Sequence, residues 1–386
     1  MTGASSAVIV AARRTAVVPR GGAFRHLQAD ELAAPIIEAV LADAGLTGAD
    51  VDQVILGNAL YGGGNPARLA ALRAGLPETV PAMTIDTQCC SGLDAILQAV
   101  RVVEAGAADC VLAGGAESFS RSVIRMHRPR NREDIPVAYD RPPFSPWPDR
   151  DPDLSEAAAD LARQRGMSRE TQAAFAVESH RRALVCSGRR EGGTEIVPVA
   201  GLTFDAFTRE LNLKTALRAP VIAGDAETGI TTATTAVEAD AAAVVAVLSE
   251  RKAREIGPAA GLRVLEGVMA AGDPAQPALV PQIAIRRLAE RLEREPGAFD
   301  AVELMEAYAV QAAATITDLG LDPEQVNRNG GALSRGHPIG ASGAILAVRL
   351  FHDLINRKTG RTGLAAIAAA GGLGTALAVQ GIVFSA

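Results

Sequence analysis

The stretch CCSGLDAILQAVRVVEAGAADCVLAGGAES, residues 89–118, determines the fold of this 386-residue chain. It reads as a cysteine-bearing turn that opens an amphipathic helix, which runs into a short apolar strand. A second stretch, HPIGASGAILAVRLFHDLI at residues 337–355, leads into LAAIAAAGGLG at residues 364–374 and repeats this order of turn, helix and strand. We interpret the repetition as an internal duplication of one α/β unit.

Apolar strands alternate with Ala- and Leu-rich helical patterns elsewhere in the chain, which predicts a layered α/β fold with a mixed or parallel sheet. A segment rich in Pro, Arg and Asp interrupts this pattern and indicates an inserted domain. We divide the chain into an N-terminal half at residues 1–120, completed by about 238–259, an inserted loop domain at 121–237 and a C-terminal half at 260–386.

The composition excludes several classes of protein. Only 3% of the residues are aromatic and the formal net charge is −6, so we expect neither stacking platforms nor a basic field for nucleic acid. The 48% of apolar residues suffices for a large core. Only three of the 38 basic residues are lysines, which we interpret as the mark of a GC-rich bacterial genome.

The apolar segment from Leu364 to Ala386 is long enough to cross a bilayer. Gly371, Gly372 and Gly374 interrupt it, so we predict a buried hairpin instead. The N-terminus lacks the charged start and long apolar run of a signal peptide, and the four cysteines show no pattern of metal ligands or disulfides. We therefore expect a cytoplasmic protein with no membrane span and no metal site.

Two residues are candidates for catalysis, Cys89 and His337. Cys89 lies at a strand-to-helix turn, where the helix N-terminus is expected to stabilise a thiolate and lower the thiol pKa. Cys110 and Cys186 lack such surroundings and are interpreted as inert. His337 lies between glycines and before Pro338, where the backbone can approach other groups closely. If the two repeats face each other, Cys89 and His337 meet as nucleophile and base.

Motifs along the whole chain resemble those of the thiolase family. In order they are AARRT, GNALYGGGNPARLAALRAGLP, CCSGL, GGAES, SRETQAAFAVESHRRA, ELMEAYA, NRNGGALSRGHPIGASGA and GGLGTALAV. The resemblance implies a five-layered αβαβα core from two similar halves and a loop domain that holds coenzyme A. It also implies assembly as a homodimer or homotetramer.

The resemblance assigns roles to several residues. The cysteine that aligns with Cys89 takes the acyl group as a thioester, and the histidine that aligns with His337 activates that thiol and contributes to an oxyanion hole. Glu306, the backbone N–H of Ala370 and Gly340 are counted as supporting positions. The acyl donor is then a coenzyme A thioester bound as a substrate, with no resident cofactor.

The chain also departs from the family at decisive positions. Ala368 stands where thiolases carry a second cysteine, the acid and base at the substrate α-carbon, and alanine has no proton to move. Met305 replaces the asparagine that holds a water in an oxyanion hole. Two stretches of the loop domain differ as well, since the family's acyl-pocket and pantetheine motifs are DPDLSE and TTAVEAD here.

Two hypotheses follow. The first is an acyltransferase that forms a thioester on Cys89 and passes it to an acceptor, either an oxygen, nitrogen or sulfur nucleophile or a carbanion made by decarboxylation. Claisen chemistry with His337 or Glu306 as the base stays open. The second is a thiolase fold that has lost catalysis and acts as a binding or structural subunit.

The sequence also suggests how partners could bind. Arg125, Arg128, Arg130 and Arg132 form a basic run, which is either a solvated loop or a dock for the phosphates of coenzyme A or for an acidic carrier protein. GHPIGASG lacks the GxGxxG spacing of a dinucleotide loop, so NAD is not expected.

Overall fold

The computed structural model describes residues 6–131, 133–188, 195–355 and 360–384, and it confirms the alternation of strands and helices. The strands are β1 (Ala7–Arg14), β2 (Val18–Pro19), β3 (Gln53–Gly57), β4 (Ala82–Ile85), β5 (Cys110–Ser118), β6 (Arg125–His127), β7 (Val137–Tyr139), β8 (Val221–Ala223), β9 (Ile230–Thr231), β10 (Ala239–Ser249), β11 (Ala260–Ala271), β12 (Ala301–Leu304), β13 (Thr362–Ala369) and β14 (Leu373–Val383). The helices are α1 (Ala29–Ala44), α2 (Pro66–Arg73), α3 (Ser91–Glu104), α4 (Leu154–Arg165), α5 (Arg169–Gly188), α6 (Leu213–Leu217), α7 (Glu250–Ile256), α8 (Val280–Arg291), α9 (Ala309–Leu319), α10 (Ala332–Arg335) and α11 (Ile339–Ile355).

Ten strands of the described residues form one mixed sheet with two similar halves. The first half has the order β4-β3-β5-β10-β1 and the second β12-β13-β14-β11, and β1 joins them by pairing with β11. In the first half β3 is parallel to β5, whereas β10 is antiparallel to β5 and to β1. In the second half β12 is parallel to β13, whereas β14 is antiparallel to β13 and to β11. The strands β3, β5, β10 and β1 of the first half thus correspond in order and relative direction to β12, β13, β14 and β11 of the second half. Duplication of one unit predicts this correspondence.

Three apolar clusters define the layers. The central cluster combines residues of α3 and α11, such as Ile96 and Leu346, with residues from strands of both halves. A second cluster packs α1, through residues such as Ile36, against the other face of the first half. A third packs α8, through residues such as Leu288, against the other face of the second half. The order helix, sheet, helix, sheet, helix confirms the five-layered fold.

The central helix α11 touches β5 too closely for a side chain at Gly115. A Cβ atom on Gly115 would lie 1.9 Å from the carbonyl oxygen of Gly340, whereas real Cβ contacts are essentially never under 3.0 Å. Only glycine allows this approach. The contact fixes the beginning of α11, and the chain that leads into it, against the first half of the molecule.

The C-terminal apolar segment forms the predicted buried hairpin. β13 and β14 pair antiparallel through a turn in which Gly371 and Gly372 adopt φ values of 78° and 74°. Residues 385 and 386 of that segment lie outside the described part of the chain. No helix in the described residues is long and apolar enough to cross a membrane. The division of the chain into two halves and an inserted domain stays a prediction.

Candidate active site

Cys89 lies in a tight turn between β4 and α3, as the sequence predicted. Gln88, immediately before it, adopts a left-handed φ of 54°, an uncommon conformation for a residue other than glycine. The hydroxyl of Ser91 donates to the carbonyl of Gln88 at 2.5 Å and accepts from the backbone N–H of Thr87 at 2.9 Å. These bonds hold the turn that presents the Cys89 thiol at the beginning of α3.

The nucleophile turn is also tied to the second half of the molecule through Asp94. This carboxylate is buried and accepts hydrogen bonds from the hydroxyls of Thr87 and Thr375, each at 2.6 Å. Thr375 belongs to β14, so one side chain of α3 links both halves beside Cys89. Sequence reasoning missed Asp94, although an acidic residue on the apolar face of a helix indicates a buried partner.

The structure brings His337 and Cys89 together across the interface of the two halves. His337 lies between α10 and α11, and its backbone N–H donates to the carbonyl of Val237 at 2.7 Å. Its Nε2 lies 3.2 Å from Sγ of Cys89. At this distance the imidazole can accept the thiol proton directly.

A second hydrogen bond determines which nitrogen of His337 faces the thiol. Nδ1 lies 2.7 Å from Oγ of Ser342, and that hydroxyl also lies 2.9 Å from the carbonyl of Pro338. When the hydroxyl donates its single proton to that carbonyl, it accepts the N–H at Nδ1. Nε2 then carries no proton and can accept one from Cys89. Sequence reasoning missed Ser342, which lies one turn into α11 in the GHPIGASG motif.

Burial keeps this cysteine–histidine pair neutral. It raises the pKa of the Cys89 thiol to about 12 and lowers the pKa of His337 to about 4. The expectation of a lowered thiol pKa was therefore wrong, because the loss of hydration outweighs the backbone amides of Ala370 and Cys89 that favour the thiolate. At neutral pH the Cys89 thiol therefore keeps its proton.

Two backbone N–H groups are directed at the reacting sulfur. The amides of Ala370 and of Cys89 itself favour negative charge on Sγ and so oppose the rise in the pKa of the thiol. Ala370 directly precedes the Gly371 turn, where a Cβ atom would lie 3.0 Å from the carbonyl oxygen of Phe144. The carbonyl of Phe144, from the segment between residues 121 and 237, therefore lies close to the turn that follows Ala370.

Glu306 lies near the His337 loop but its carboxylate is occupied. It is buried and accepts hydrogen bonds from Asn327 Nδ2 at 2.6 Å, from Ser179 Oγ at 2.7 Å and from the backbone N–H of Leu333 at 3.2 Å. Burial raises its pKa. Ser179 belongs to α5, whereas Asn327 and Leu333 both belong to the stretch that carries His337. The geometry therefore favours a positioning role for Glu306 over a role as the base.

The two altered family positions are apolar in the structure. Met305 is 1% exposed and belongs to the central apolar cluster, against which Cys89 also packs. A thioether offers only a weak acceptor for a water molecule. Ala368 lies near the end of β13 and is partly exposed, so no proton-transferring side chain occupies that position.

Glu117 is a buried acid near the site that sequence reasoning missed. It accepts hydrogen bonds from Asn58 Nδ2 and from the backbone N–H of Ala59 and Gly340, at 2.9, 2.9 and 3.0 Å. Burial raises its pKa to about 7. Gly340 therefore acts through its amide, which docks the first turn of α11 onto the first half. The sequence could have indicated this residue, because Glu117 is the single acidic residue in the mostly apolar strand CVLAGGAES.

The basic run is mostly surface in the described residues. Arg128 and Arg130 are exposed, whereas Arg125 donates to the carbonyl of Ala59 at 3.3 Å. Arg132 lies outside the described residues. Among the residues that the structure describes, no group of three or more His, Cys, Asp or Glu side chains could hold a metal ion.

Comparison with known proteins agrees with this geometry. A model of the thiolase N-terminal domain matches residues 7–251, and a model of the thiolase C-terminal domain matches residues 260–381. The crystal structure of the Bacillus anthracis acetyl-CoA acetyltransferase is similar with a TM-score of 0.90 and 31% identity, over 99% of this chain and 100% of that chain.

Bacterial relatives are similar over nearly their whole length. The acetyl-CoA acetyltransferase of Cupriavidus necator is 36% identical over 393 residues, which cover 97% of this chain and 98% of that protein. A Staphylococcus aureus protein named "probable acetyl-CoA acyltransferase" is 37% identical over 403 residues, with 97% and 98% covered. The resemblance inferred from the motifs is confirmed: the chain belongs to the thiolase family, a family of acyltransferases.

Proposed function

We propose that the protein transfers an acyl group through a thioester on Cys89, with His337 as the base. The contact of 3.2 Å between His337 Nε2 and Cys89 Sγ carries this proposal. The Ser342 hydrogen bond supports it, because it leaves Nε2 free to accept a proton. The amides of Cys89 and Ala370 add donors for the negative charge that develops on a substrate carbonyl oxygen.

The first half-reaction then runs as a balanced exchange of thioesters. Sγ of Cys89 attacks the carbonyl carbon of the donor thioester while its proton passes to Nε2 of His337. The carbonyl oxygen becomes an oxyanion, which the two amides stabilise. When the oxyanion collapses, the bond to the donor sulfur breaks and the departing thiolate takes the proton from His337. The products are an acylated Cys89 and a free thiol.

The second half-reaction is proposed to differ from ordinary thiolase turnover. Ala368 offers no base for the α-carbon of an incoming acyl group, and Glu306 is held by three donors. Loss of a general base costs roughly 10²- to 10⁴-fold in rate. We therefore favour an acceptor that does not need this base: an oxygen, nitrogen or sulfur nucleophile, or a carbanion formed by decarboxylation.

The acyl donor is proposed to be a coenzyme A thioester or a thioester on a carrier protein, which share the pantetheine arm. The names of the relatives support coenzyme A. A cavity of about 270 Å³ is lined by residues that include Arg209, Arg218 and Thr232, and arginines suit phosphate groups. Val237 follows Thr232 by five residues, and its carbonyl accepts a hydrogen bond from the backbone N–H of His337. Because one short segment thus leads from the cavity to His337, we favour the cavity as the site for the phosphate-bearing end of the donor.

Intact-protein mass spectrometry tests the proposal. The protein is incubated with acyl-coenzyme A and acyl-pantetheine thioesters of several chain lengths, beside Cys89→Ala and His337→Ala variants. We expect an acyl adduct that is absent from Cys89→Ala and slower in His337→Ala. Absence of any adduct on a folded wild-type protein contradicts the proposal and favours a binding or structural role.

We also propose that the protein is a cytoplasmic homodimer or homotetramer. Exposed apolar side chains near β6 and β7 support self-association, with Ile124 88%, Ile135 83% and Val137 65% exposed. The cysteines in the described residues are free thiols, which suits a reducing compartment. Size-exclusion chromatography with light scattering measures the mass of the assembly. A mass equal to that of one chain contradicts the proposed homodimer or homotetramer.

A further inference from the structure

Two hydroxyl groups form a pair where α4 and α9 begin. Oη of Tyr308, the residue before α9, lies 3.1 Å from Oγ of Ser155, in the first turn of α4. Both side chains are half-buried, so part of each is accessible to solvent.

The backbone next to this hydroxyl pair is connected to the Cys89–His337 site through one segment. The segment that precedes β10 pairs with both regions: Thr235 bridges to Tyr308, and Glu238 bridges to His337. The adjoining Ala307 and Cys89 both pack on the central apolar cluster. Burial raises the pKa of Tyr308 to about 12, and a thiolate at Cys89 would act in the same direction.

The pair has an unused proton. Each hydroxyl carries one O–H proton. Among the described residues, the two hydroxyl groups form a hydrogen bond with each other and with no other group. That bond uses one proton, so the other remains available to a ligand, together with acceptor lone pairs. A tyrosine is protonated at neutral pH even at its ordinary pKa of about 10, and the pKa of Tyr308 is raised further, so Tyr308 is a donor.

The surroundings favour a neutral ligand group over an anionic one. The carboxylate of Asp153 caps α4 by accepting from the backbone N–H of Ser155 at 2.8 Å, and its charge also raises the pKa of Tyr308. A substrate carboxylate here would meet a like charge. A hydroxyl or keto oxygen would not, and it could both accept from and donate to the pair.

We propose that Tyr308 and Ser155 determine specificity by binding a hydroxyl or keto oxygen on the acyl chain attached to Cys89. This inference rests on the proposed function, because it requires an acyl group on Cys89. A neutral hydrogen bond that is lost without another partner changes relative rates by roughly three- to tenfold. The pair should therefore favour an oxygen-bearing acyl chain over its deoxygenated counterpart by about that factor.

A competition between two donors tests the inference. Butanoyl-coenzyme A and 3-hydroxybutanoyl-coenzyme A, which differ by one oxygen, are mixed in equal amounts with the wild type and with the Tyr308→Phe, Ser155→Ala and Tyr139→Phe variants. The two adducts on Cys89 are counted by mass spectrometry at short times. Tyr139→Phe is the matched control, since its ring stacks on His127 at 4.2 Å in the β6–β7 hairpin.

We expect the wild type and Tyr139→Phe to prefer the hydroxylated donor to the same extent, and both active-site variants to lose that preference because transfer from the hydroxylated donor slows more than butanoyl transfer. Equal adduct ratios in the wild type overturn the inference but leave the proposed function standing. An equal slowing of both donors in Tyr308→Phe also overturns it, because that pattern indicates a structural role. No adduct from either donor overturns the proposed function and the inference together.

Discussion

The hydroxyl of Ser342 lies 2.7 Å from Nδ1 of His337, on the side of the imidazole opposite Cys89. Because this hydroxyl can donate to the Pro338 carbonyl, it fixes the N–H of His337 at Nδ1 and leaves Nε2 as an acceptor. The proposed proton transfer from Cys89 therefore depends on a serine that does not contact the thiol.

Ser342→Ala should slow acylation of Cys89 about tenfold, because the imidazole loses the partner that selects its tautomer. Ser342→Thr keeps the hydroxyl and should restore most of the rate. Stopped-flow release of the donor thiol measures the rate, and ¹⁵N NMR of His337 reports the tautomer. An unchanged tautomer in Ser342→Ala would show that the hydroxyl does not position the proton.

The raised pKa of Cys89, about 12, predicts a weakly ionised thiol. At pH 7 about one part in 10⁵ is thiolate, so alkylation by iodoacetamide should rise about tenfold per pH unit from pH 6 to 9 without levelling. Free N-acetylcysteine, the control, should level near its ordinary pKa of about 8.5. A plateau for Cys89 between pH 6 and 8 would instead reveal a thiolate–imidazolium pair.

His337, with a pKa of about 4, should remain neutral throughout the same range. The Cys89–His337 pair thus contributes no change in the acylation rate between about pH 5.5 and 9, since neither member changes charge there. Below pH 5 the rate should fall as the imidazole becomes protonated and can no longer accept the thiol proton. Single-turnover acylation across this range checks the prediction. A step near pH 6.5 is the result that contradicts it.

Ala368→Cys should restore proton transfer at the substrate α-carbon. The partly exposed position near the end of β13 leaves room for a thiol. We expect exchange of the α-hydrogens of acetyl-coenzyme A in heavy water to increase by roughly 10²-fold over wild type. Ala368→Ser has nearly the same size without the thiol and should show no gain. Rapid exchange in the wild type would place the missing base elsewhere in the site.

Arg14 should be far more important for stability than its neighbour Arg13. Arg14 is 1% exposed and pairs with Glu195 at 2.5 Å and Asp205 at 2.6 Å. Arg14→Met leaves these charges without that partner and should cost about 3–5 kcal/mol in free energy of unfolding. Arg13→Met removes only a partly exposed pair with Asp43 and should cost under about 1 kcal/mol. Urea unfolding at pH 7 compares them.

The same cluster predicts loss of stability in acid. Although burial opposes it, the charge of Arg14 holds the pKa values of Glu195 and Asp205 below their ordinary range. A lowered folded-state pKa stabilises the fold above the unfolded pKa, near 4, and that contribution is lost as the pH falls through the folded value. Urea midpoints from pH 5 to 3 should therefore fall more steeply in wild type than in Arg14→Met. Equal slopes would contradict this linkage.

The local pattern of the chain was sufficient to predict the elements around the site. The strand CVLAGGAES coincides with β5, and the helix predicted to begin at Ser91 is α3. Periodicity and glycine placement are properties of short segments, so they can be recognised without the fold. Burial depends on the whole fold and cannot be recognised in this way. It raises the pKa of Cys89, whereas the sequence predicted a lowered pKa. Similarly, the hydrogen bonds of Ser342 with His337 and of Glu117 with Gly340 form only in the folded chain, so the sequence did not single out these two residues.

The sequence by itself determined the two similar α/β units, the candidate pair Cys89 and His337, and the lack of a thiol at Ala368, because each is a matter of which residues occur in which order. The tertiary structure alone decided that the pair meets at 3.2 Å, that it is neutral, and that Glu306 is occupied by other donors. These are consequences of segments far apart in the chain removing water from one another and sharing hydrogen bonds, which no local pattern encodes.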